Sequence, residues 1–271
     1  MRLAIRHTTR YEFAHPVAHG LQRLRLKPKP THGQSVIAWD MHLAGANPEA
    51  EYDDHHHNHV TLVSVEPMAR AVTVVCQGLI DTADNNGVVG PHVGNQPLWC
   101  FLAQTALTRP GPRLRALVSS LETDRACLLD RLHELSATVL DAVRYEVGAT
   151  DAGTTAEQSL QAGAGVCQDH AHIFVGAARL MGVPARYVSG YLMMNDRVDQ
   201  DAGHAWAEAL VVGLGWVGFD VSNGISPDAR YVRVATGCDY RDAAPVTGIS
   251  FGAGETSLRV SLAVEQQMIE Q

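Results

Sequence analysis

The run GAGVCQDHAH at residues 163–172 places glycines directly before one cysteine and an apolar helical pattern directly after it. The apolar side chains recur at steps of three and four residues, which is the period of an α-helix. Gly182 follows as a residue suited to end the helix, and Pro184 stops it. The spacing therefore predicts a helix that begins at Cys167. The apolar positions are Cys167, Ala171, Phe174, Ala178 and Met181.

The predicted position of Cys167 allows two interpretations. In the first turn of a helix, unpaired backbone N–H groups and the positive end of the helix dipole stabilise a thiolate, which is the nucleophilic form of cysteine. A cysteine on a buried helix can also be a small hydrophobic residue of the core. This stretch by itself favours neither interpretation.

Length, composition and charge limit the possible functions. The chain has 271 residues, enough for one large or two small domains, and its 46% of apolar residues can form a sizeable core. Its 21 Lys and Arg against 29 Asp and Glu give a net charge of -8, which argues against nucleic acid or an anionic membrane as the main partner. Residues 1–7 show no apolar leader pattern, and no later run is long enough to span a bilayer.

The cysteines indicate the compartment. They are odd in number, scattered and without a C-x-x-C spacing, so neither a disulfide framework nor a zinc–thiolate site is indicated. This pattern favours the reducing cytoplasm. Only Cys167 has a glycine-led helix start, and the others are interpreted as structural. The five are Cys76, Cys100, Cys127, Cys167 and Cys238.

Residues 1–82 show the alternation of apolar and polar side chains that is typical of strands. Turn signals at residues 28–30, 45–48 and 66–67 separate the runs, which predicts a small antiparallel sheet or sandwich. The turn-rich segment 81–97 marks the expected domain boundary. Within the β region, the run DDHHHNH at residues 53–59 contains metal-binding residue types. Adjacent histidines on an extended chain point to opposite faces, so we interpret this run as a polar loop between two strands.

The second part of the chain predicts helices first and an antiparallel sheet afterwards, which is the α+β arrangement. Short helices are expected at residues 98–106 and 112–122, and the clearest helix at 124–145. A capping box, TTAE at residues 154–157, opens another short helix before the glycines. After the cysteine helix the period changes to two. The expected strands are residues 186–192, 204–212, 216–220, about 231–234 and about 258–264.

His204 and Asp220 are candidates for the base and the orienting acid that a cysteine nucleophile needs. His204 begins the first strand of a predicted hairpin, and Asp220 ends the second. With a three-residue loop at 213–215, the two side chains share a face but lie too far apart. A bulge or a longer loop would place His204 directly opposite Asp220, within cross-strand reach. The loop is rich in glycine, so we predict such an irregularity.

Several nearby residues have rival interpretations. His170 and His172 are alternative bases, although a base on the cysteine helix would lack a strand-borne carboxylate to orient it. His170 is otherwise a polar residue on the exposed edge of the helix. Asp169 is interpreted as a first-turn residue that the helix dipole favours. Trp206 and Trp216 could line a cleft or fill the core, and the core is preferred for Trp216.

Four blocks of the chain resemble the core of the bacterial transglutaminase-like superfamily. They read GVCQD at residues 165–169, ARLMGVPARYVSGY at 178–191, HAWAE at 204–208 and GWVGFD at 215–220. The stretch HTTRY at residues 7–11 resembles the β domain that precedes this core in one bacterial subfamily. Two departures stand out: His170 occupies a position that is usually aromatic, and the histidine run replaces a Phe-Gly-Asn type of turn.

The resemblance implies a papain/transglutaminase-like core at residues 83–271, preceded by a small all-β domain at residues 1–82. It implies Cys167 as nucleophile, His204 as base and Asp220 as orienting acid. The helix start supplies the backbone N–H of Cys167 as an oxyanion donor, and Gln161 is a weaker candidate for a second donor.

We therefore expect a cysteine-dependent amide hydrolase or acyltransferase that forms a thioester on a peptide or glutamine-type amide. The alternative is a catalytically silent peptide- or protein-binding module of the same fold. The expected partner is a peptide or protein substrate, with no nucleic acid, membrane, cofactor or metal.

Overall fold

The computed structural model describes residues 1–93, 96–121 and 127–267. It has the predicted α+β architecture, with helices packed on an antiparallel sheet and a strand-rich N-terminal region in front of them. None of the helices in the described residues is both long and apolar enough to cross a membrane.

Residues 1–82 form strands, as the alternation predicts, and these strands build two sheets that face each other. Buried apolar side chains such as Leu24, Val63 and Val74 fill the space between the sheets. The histidine run forms the turn between the fourth and fifth strands, so its interpretation as a loop is confirmed. The strands of this region are β1 (Arg2–Phe13), β2 (His19–Leu24), β3 (Gln34–Ala44), β4 (Ala46–Asp53), β5 (His59–Val65) and β6 (Ala71–Thr82).

The helices lie close to their predicted positions. Gly182, with φ +80°, follows the end of the cysteine helix as predicted. Residues 94–95 of the expected boundary segment, and residues 122–126 of the helices expected at 112–122 and 124–145, lie outside the described residues. The short helix at residues 98–106 is a single 3-10 segment, Leu98–Leu102. The α-helices are α1 (Pro112–Ser119), α2 (Leu128–Ala142), α3 (Ala156–Ala162), α4 (Cys167–Leu180) and α5 (Tyr240–Ala243).

The capping box of α3 lies one residue later than predicted. Thr155 is the N-cap: its hydroxyl accepts from the backbone N–H of Gln158, and the Gln158 side chain accepts from the backbone N–H of Thr155. Glu157, the predicted partner, instead accepts backbone N–H groups of residues 111, 113 and 114 at the start of α1. The TTAE stretch thus caps α3 through Thr155 and connects it to the start of α1 through Glu157.

The remaining strands form the core sheet and complete the N-terminal sheets. The core sheet has the order β14-β10-β12-β13-β7, and α4 packs on it through a buried apolar cluster that includes Phe174 and Phe219. A short parallel pair, β8 with β9, lies before α4. These strands are β7 (Val88–Gly90), β8 (Arg144–Tyr145), β9 (Ala164–Gly165), β10 (Ala185–Leu192), β11 (Asp199–Gln200), β12 (His204–Val211), β13 (Gly215–Phe219), β14 (Tyr231–Gly237), β15 (Val246–Phe251) and β16 (Thr256–Gln266).

The expected strand near residues 258–264 exists, but its expected placement with the catalytic region is wrong. β16 pairs with β1, and β15 pairs with β2, so the chain end returns to the N-terminal sheets. Alternation identifies a strand but does not identify its partner. The division into domains between residues 82 and 83 stays a proposal. Because β15 and β16 pair with strands of the N-terminal region, they would be counted with that region.

Two buried side-chain amides join the N-terminal region to β14, the edge strand of the core sheet. Gln34 donates to the carbonyl of Arg233 and accepts from its N–H, both at 2.8 Å. Asn58 makes the same reciprocal pair with Thr236, at 2.7 and 2.8 Å. These amides satisfy backbone groups that an edge strand would otherwise leave unpaired.

Candidate active site

Cys167 is the first residue of α4, as the sequence predicts. The helix start is fixed by Asp169, whose carboxylate accepts from the backbone N–H of Val166 at 2.8 Å and from the hydroxyl of Thr150 at 2.6 Å. Asp169 is therefore a capping residue of the first turn. Any side chain larger than hydrogen at residue 165 would come within 3.0 Å of the Asp169 side chain, which explains the glycine there. The thiol lies at a helix N-terminus and is half-buried.

His204 and Asp220 meet through a short hydrogen bond. The Nε2 atom of His204 donates to Oδ2 of Asp220 at 2.6 Å, and the Asp220 side chain is fully buried. The same oxygen accepts from the hydroxyl of Tyr231 at 2.6 Å and from Nδ2 of Asn223 at 2.7 Å. Because Nε2 is engaged by the carboxylate, Nδ1 is left for the thiol of Cys167.

The electrostatics of the three side chains favour a charged imidazolium. Burial alone would lower the pKa of His204, but hydrogen bonds to Asp220 and Cys167, together with their charges, raise it to about 10. Burial would likewise raise the pKa of Asp220, yet the hydrogen bonds from His204, Tyr231 and Asn223 hold it below its usual value. A cation therefore lies between the sulfur and a carboxylate that remains ionised.

The prediction of a bulge or a longer loop in the hairpin is wrong. The loop has three residues, 212–214, and Val211 pairs with Gly215 in a regular ladder. This register brings Asp220 to a position diagonal to His204. Asp220 follows the end of β13 and forms an isolated bridge with Ile225, so the chain turns there and carries the carboxylate to the imidazole.

Both rival bases are buried and bond to other parts of the chain. Contrary to the exposed position expected for it, His170 is buried: its Nε2 donates to the carbonyl of Val143 at 2.9 Å, and its Nδ1 accepts from the hydroxyl of Ser222 at 2.8 Å. His172 is also buried and accepts from the backbone N–H of Tyr240 at 3.1 Å. Burial lowers the pKa of both, that of His172 to about 3. Among the described residues no hydrogen bond joins either histidine to Cys167, and Nδ1 of His172 is buried without a hydrogen-bond partner.

Gln161 lies exposed on α3, outside the cavity that contains Cys167. Its role as a second oxyanion donor stays a prediction without structural support. Gln168, the residue after the cysteine, lines the cavity instead. The backbone N–H of Cys167, at the start of α4, remains the first candidate donor.

Trp216 and Trp206 are both buried. The preference for a core position at Trp216 is confirmed, and the Arg186 guanidinium lies 3.9 Å from its ring centroid. The ring of Trp206 stacks on His204 at 6.2 Å between centroids, on the strand that carries the base.

The cavity at Cys167 has a volume of about 340 Å³. Core residues such as Tyr187 and Tyr191 line one part of it, while Tyr11 of β1 and Leu258 of β16 line another. The N-terminal sheets thus supply part of the wall. A larger cavity of about 750 Å³ lies beside Arg186 and Arg233 and does not include Cys167, so the smaller one is the candidate active site.

Sequence reasoning missed the two other donors to Asp220. The spacing of Asn223, three residues after Asp220 in a glycine-containing turn, could have indicated it, because short polar side chains stabilise such turns. Tyr231 carries no comparable signal, because it begins the next strand and meets Asp220 only after the chain has folded.

Family models match most of the chain in two blocks. Residues 115–221 match the transglutaminase-like superfamily, and residues 3–81 match the bacterial transglutaminase-like N-terminal region. An uncharacterized protein of Mycobacterium leprae is 28% identical over 284 residues, covering 96% of this chain and 96% of its own. An uncharacterized protein of Mycobacterium tuberculosis is 35% identical over 141 residues, covering 48% of this chain and 45% of its own.

Among solved structures, a protein from Cytophaga hutchinsonii named as a candidate cysteine protease superposes with a TM-score of 0.78. The match covers 100% of this chain and 92% of that one at 19% identity, which shows a shared fold. The chain belongs to the transglutaminase-like superfamily, with the bacterial transglutaminase-like N-terminal region in front of its core.

Proposed function

We propose that this protein is a cysteine-dependent amide hydrolase or acyltransferase in which Cys167, His204 and Asp220 act as a triad. The observation that carries the proposal is the 2.6 Å bond between His204 and Asp220, in an imidazole that lines the same cavity as Cys167 and whose pKa the thiol helps to raise. This is the arrangement that a thiol needs in order to be held ionised beside a proton donor. The resemblance of the fold to a candidate cysteine protease supports the same chemistry.

The reaction would proceed in two steps. The thiolate of Cys167 attacks an amide carbonyl, and the backbone N–H at the helix start stabilises the oxyanion. His204 then gives its proton to the departing amine, the C–N bond breaks, and a thioester remains on the sulfur. Water attacks the thioester to give an acid, or an amine attacks it to give a new amide. The attacking group loses its proton to His204, and the thiolate is restored.

Asp220 would act by fixing the imidazole. Its carboxylate holds Nε2, so Nδ1 faces the sulfur, and its negative charge stabilises the imidazolium. Tyr231 and Asn223 hold the carboxylate in turn. These contacts support a pre-organised site.

The proposed substrate is a peptide segment or a glutamine side chain. The cavity is mainly apolar, and Tyr187, Tyr191 and Tyr240 line it beside the thiol, which suits an apolar side chain next to the amide. The formal charge of -8 supports a partner other than nucleic acid or an anionic membrane. All five cysteines are free, which supports a cytoplasmic location.

Iodoacetamide labelling at neutral pH separates this enzyme from a silent binding module of the same fold. Cys127 is exposed and provides an internal reference. A free cysteine is only a few per cent thiolate at pH 7, so an ionised Cys167 should react about tenfold faster or more. A His204→Ala variant should lose this advantage. Slow labelling of Cys167 that is unchanged in His204→Ala would indicate a module without chemistry.

A further inference from the structure

A second group of ligand side chains lies away from the triad, where the N-terminal region meets the segment after β14. His56 comes from the turn between β4 and β5, while Cys238 and Asp242 flank the start of α5. One ligand atom from each of the three residues lies within 4.8 Å of the other two. The His56 side chain is 1% exposed. We propose that these three residues bind a zinc ion, which joins the N-terminal region to the core.

The spacing of the ligand atoms fits a tetrahedral ion. Zinc binds histidine nitrogen and carboxylate oxygen at about 2.0–2.2 Å, so two such ligands on one tetrahedral ion lie about 3.3–3.6 Å apart. The Nε2 atom of His56 and the Oδ2 atom of Asp242 are separated by 3.3 Å. A charge-assisted hydrogen bond would draw the same atoms to about 2.7–2.9 Å. Their separation is within hydrogen-bond distance and also matches that of two ligands of one ion.

The chemistry of the set selects the metal. Imidazole, thiolate and carboxylate together suit zinc, whereas calcium and magnesium require oxygen ligands. The Cys238 thiol would lose its proton on binding the ion, and the resulting thiolate and the carboxylate would balance the charge of Zn²⁺. Three protein ligands leave a fourth position for water. Of the three, His56 also lines the cavity of about 750 Å³, and Asp242 is partly exposed to solvent.

The surrounding structure holds the ligands in place. Asp54 accepts from the backbone N–H groups of His56 and Asn58 at 2.9 and 3.0 Å, which fixes the histidine turn. The backbone N–H of Cys238 donates to Asp242 at 3.0 Å, and Arg179 donates to the Cys238 carbonyl at 2.7 Å. Such supporting contacts around metal ligands orient the ligands and raise affinity.

The test uses the full chain without a histidine tag, stripped with a chelator, loaded with ZnCl₂ and passed through a desalting column. We expect about one zinc per chain by elemental analysis, as for a specific site of this ligand set. His56→Ala and Cys238→Ser should each weaken zinc binding by at least about tenfold. Matched controls are Cys127→Ser, Cys167→Ser and His57→Asn, which should retain the metal. Asparagine tolerates the left-handed backbone of residue 57 (φ 57°).

Cobalt provides a second measurement that does not depend on the folding of a variant. The Co²⁺-loaded wild type should show the near-ultraviolet charge-transfer absorption of a thiolate bound to cobalt, and Cys167→Ser should keep that absorption. The proposal is overturned by a wild type that retains no zinc. It is also overturned if His56→Ala and Cys238→Ser retain as much zinc as the wild type, or if Cys167→Ser removes the cobalt absorption.

Discussion

Replacing Asp220 with asparagine keeps the shape of the side chain and removes its charge. In the wild type, Oδ2 of Asp220 accepts from His204, Tyr231 and Asn223. The amide oxygen of asparagine can still accept these three bonds if its NH₂ group takes the place of Oδ1. The NH₂ group would then face the backbone N–H of Asn223, which donates a hydrogen bond to Oδ1 at 3.3 Å in the wild type. Asp220→Asn thus converts three charge-assisted bonds into neutral bonds and loses a fourth.

The expected magnitudes follow from these bonds. A neutral hydrogen bond contributes about 1 kcal/mol and a charge-assisted one about twice that. Three conversions and one lost bond should therefore lower the free energy of unfolding by about 4–5 kcal/mol. The pKa of His204 should fall by about 2 units from its value of about 10, because it loses both a strong bond and a neighbouring charge, and one unit corresponds to about 1.4 kcal/mol.

The pH dependence of this stability loss has a defined sign. A raised pKa of His204 stabilises the folded state fully below pH 6.5, the ordinary value, and this contribution is lost as pH rises through about 10. The lowered pKa of Asp220 contributes above pH 3.8 and is lost as pH falls below it. The difference between wild type and Asp220→Asn should therefore be largest at about pH 4 to 8 and should shrink between about pH 8 and 10.

The assay is an NMR titration of the His204 ring, with its signals assigned by comparison with His204→Asn. The matched control is Tyr231→Phe, which removes one donor to the carboxylate but leaves the bond to His204. We expect the ring of the wild type and of Tyr231→Phe to remain protonated through pH 8 and Asp220→Asn to titrate earlier. An unchanged titration in Asp220→Asn would refute the role given to this carboxylate.

Other variants test the base, a buried ion cluster and helix packing. His170→Ala should lose stability because its ring bridges two chain segments, but it should keep the fast alkylation of Cys167. Glu208 is fully buried between two arginines, which overcome the effect of burial and lower its pKa to about 2. Its contribution to stability should hold above pH 4.5 and be lost as pH falls through about 2, and Glu208→Gln should cost about 3–5 kcal/mol in urea unfolding at pH 7. Gly176→Ala should raise the unfolding rate and cost about 1–3 kcal/mol, because the new Cβ would press into the carbonyl oxygen of Thr108.

Local patterns predicted the elements that carry the site. The helix that begins at Cys167 and the strands that carry His204 and Asp220 follow from side-chain periods within single segments. Such periods depend only on neighbours in the chain, which is why they could be identified without tertiary information.

Register and strand partners could not be predicted in the same way. The hairpin has glycines with positive φ at both residue 213 and residue 215, so the sequence allows more than one loop position. The loop that forms has three residues, 212–214, instead of the predicted bulge or longer loop, and it places Asp220 diagonal to His204. The partners of β16 likewise depend on packing across the whole chain, since its alternation suits any sheet with one buried face.

The burial of polar side chains could not be predicted from the sequence either. His170 is buried because its ring nitrogens pair with Val143 and Ser222, which lie 27 and 52 residues away in the chain. Likewise, the approach of His56 to Cys238 depends on docking of the N-terminal region against β14. These contacts have no counterpart in any local pattern.

The most direct measurement is the trapping of an acyl group on Cys167. Activated acyl esters and a peptide library would be incubated with the protein, quenched with acid and analysed by mass spectrometry of the digested chain. The account predicts a hydroxylamine-sensitive thioester on Cys167 that is strongly reduced in His204→Ala. Acylation that never reaches Cys167, or that reaches it equally in His204→Ala, would contradict the proposed triad.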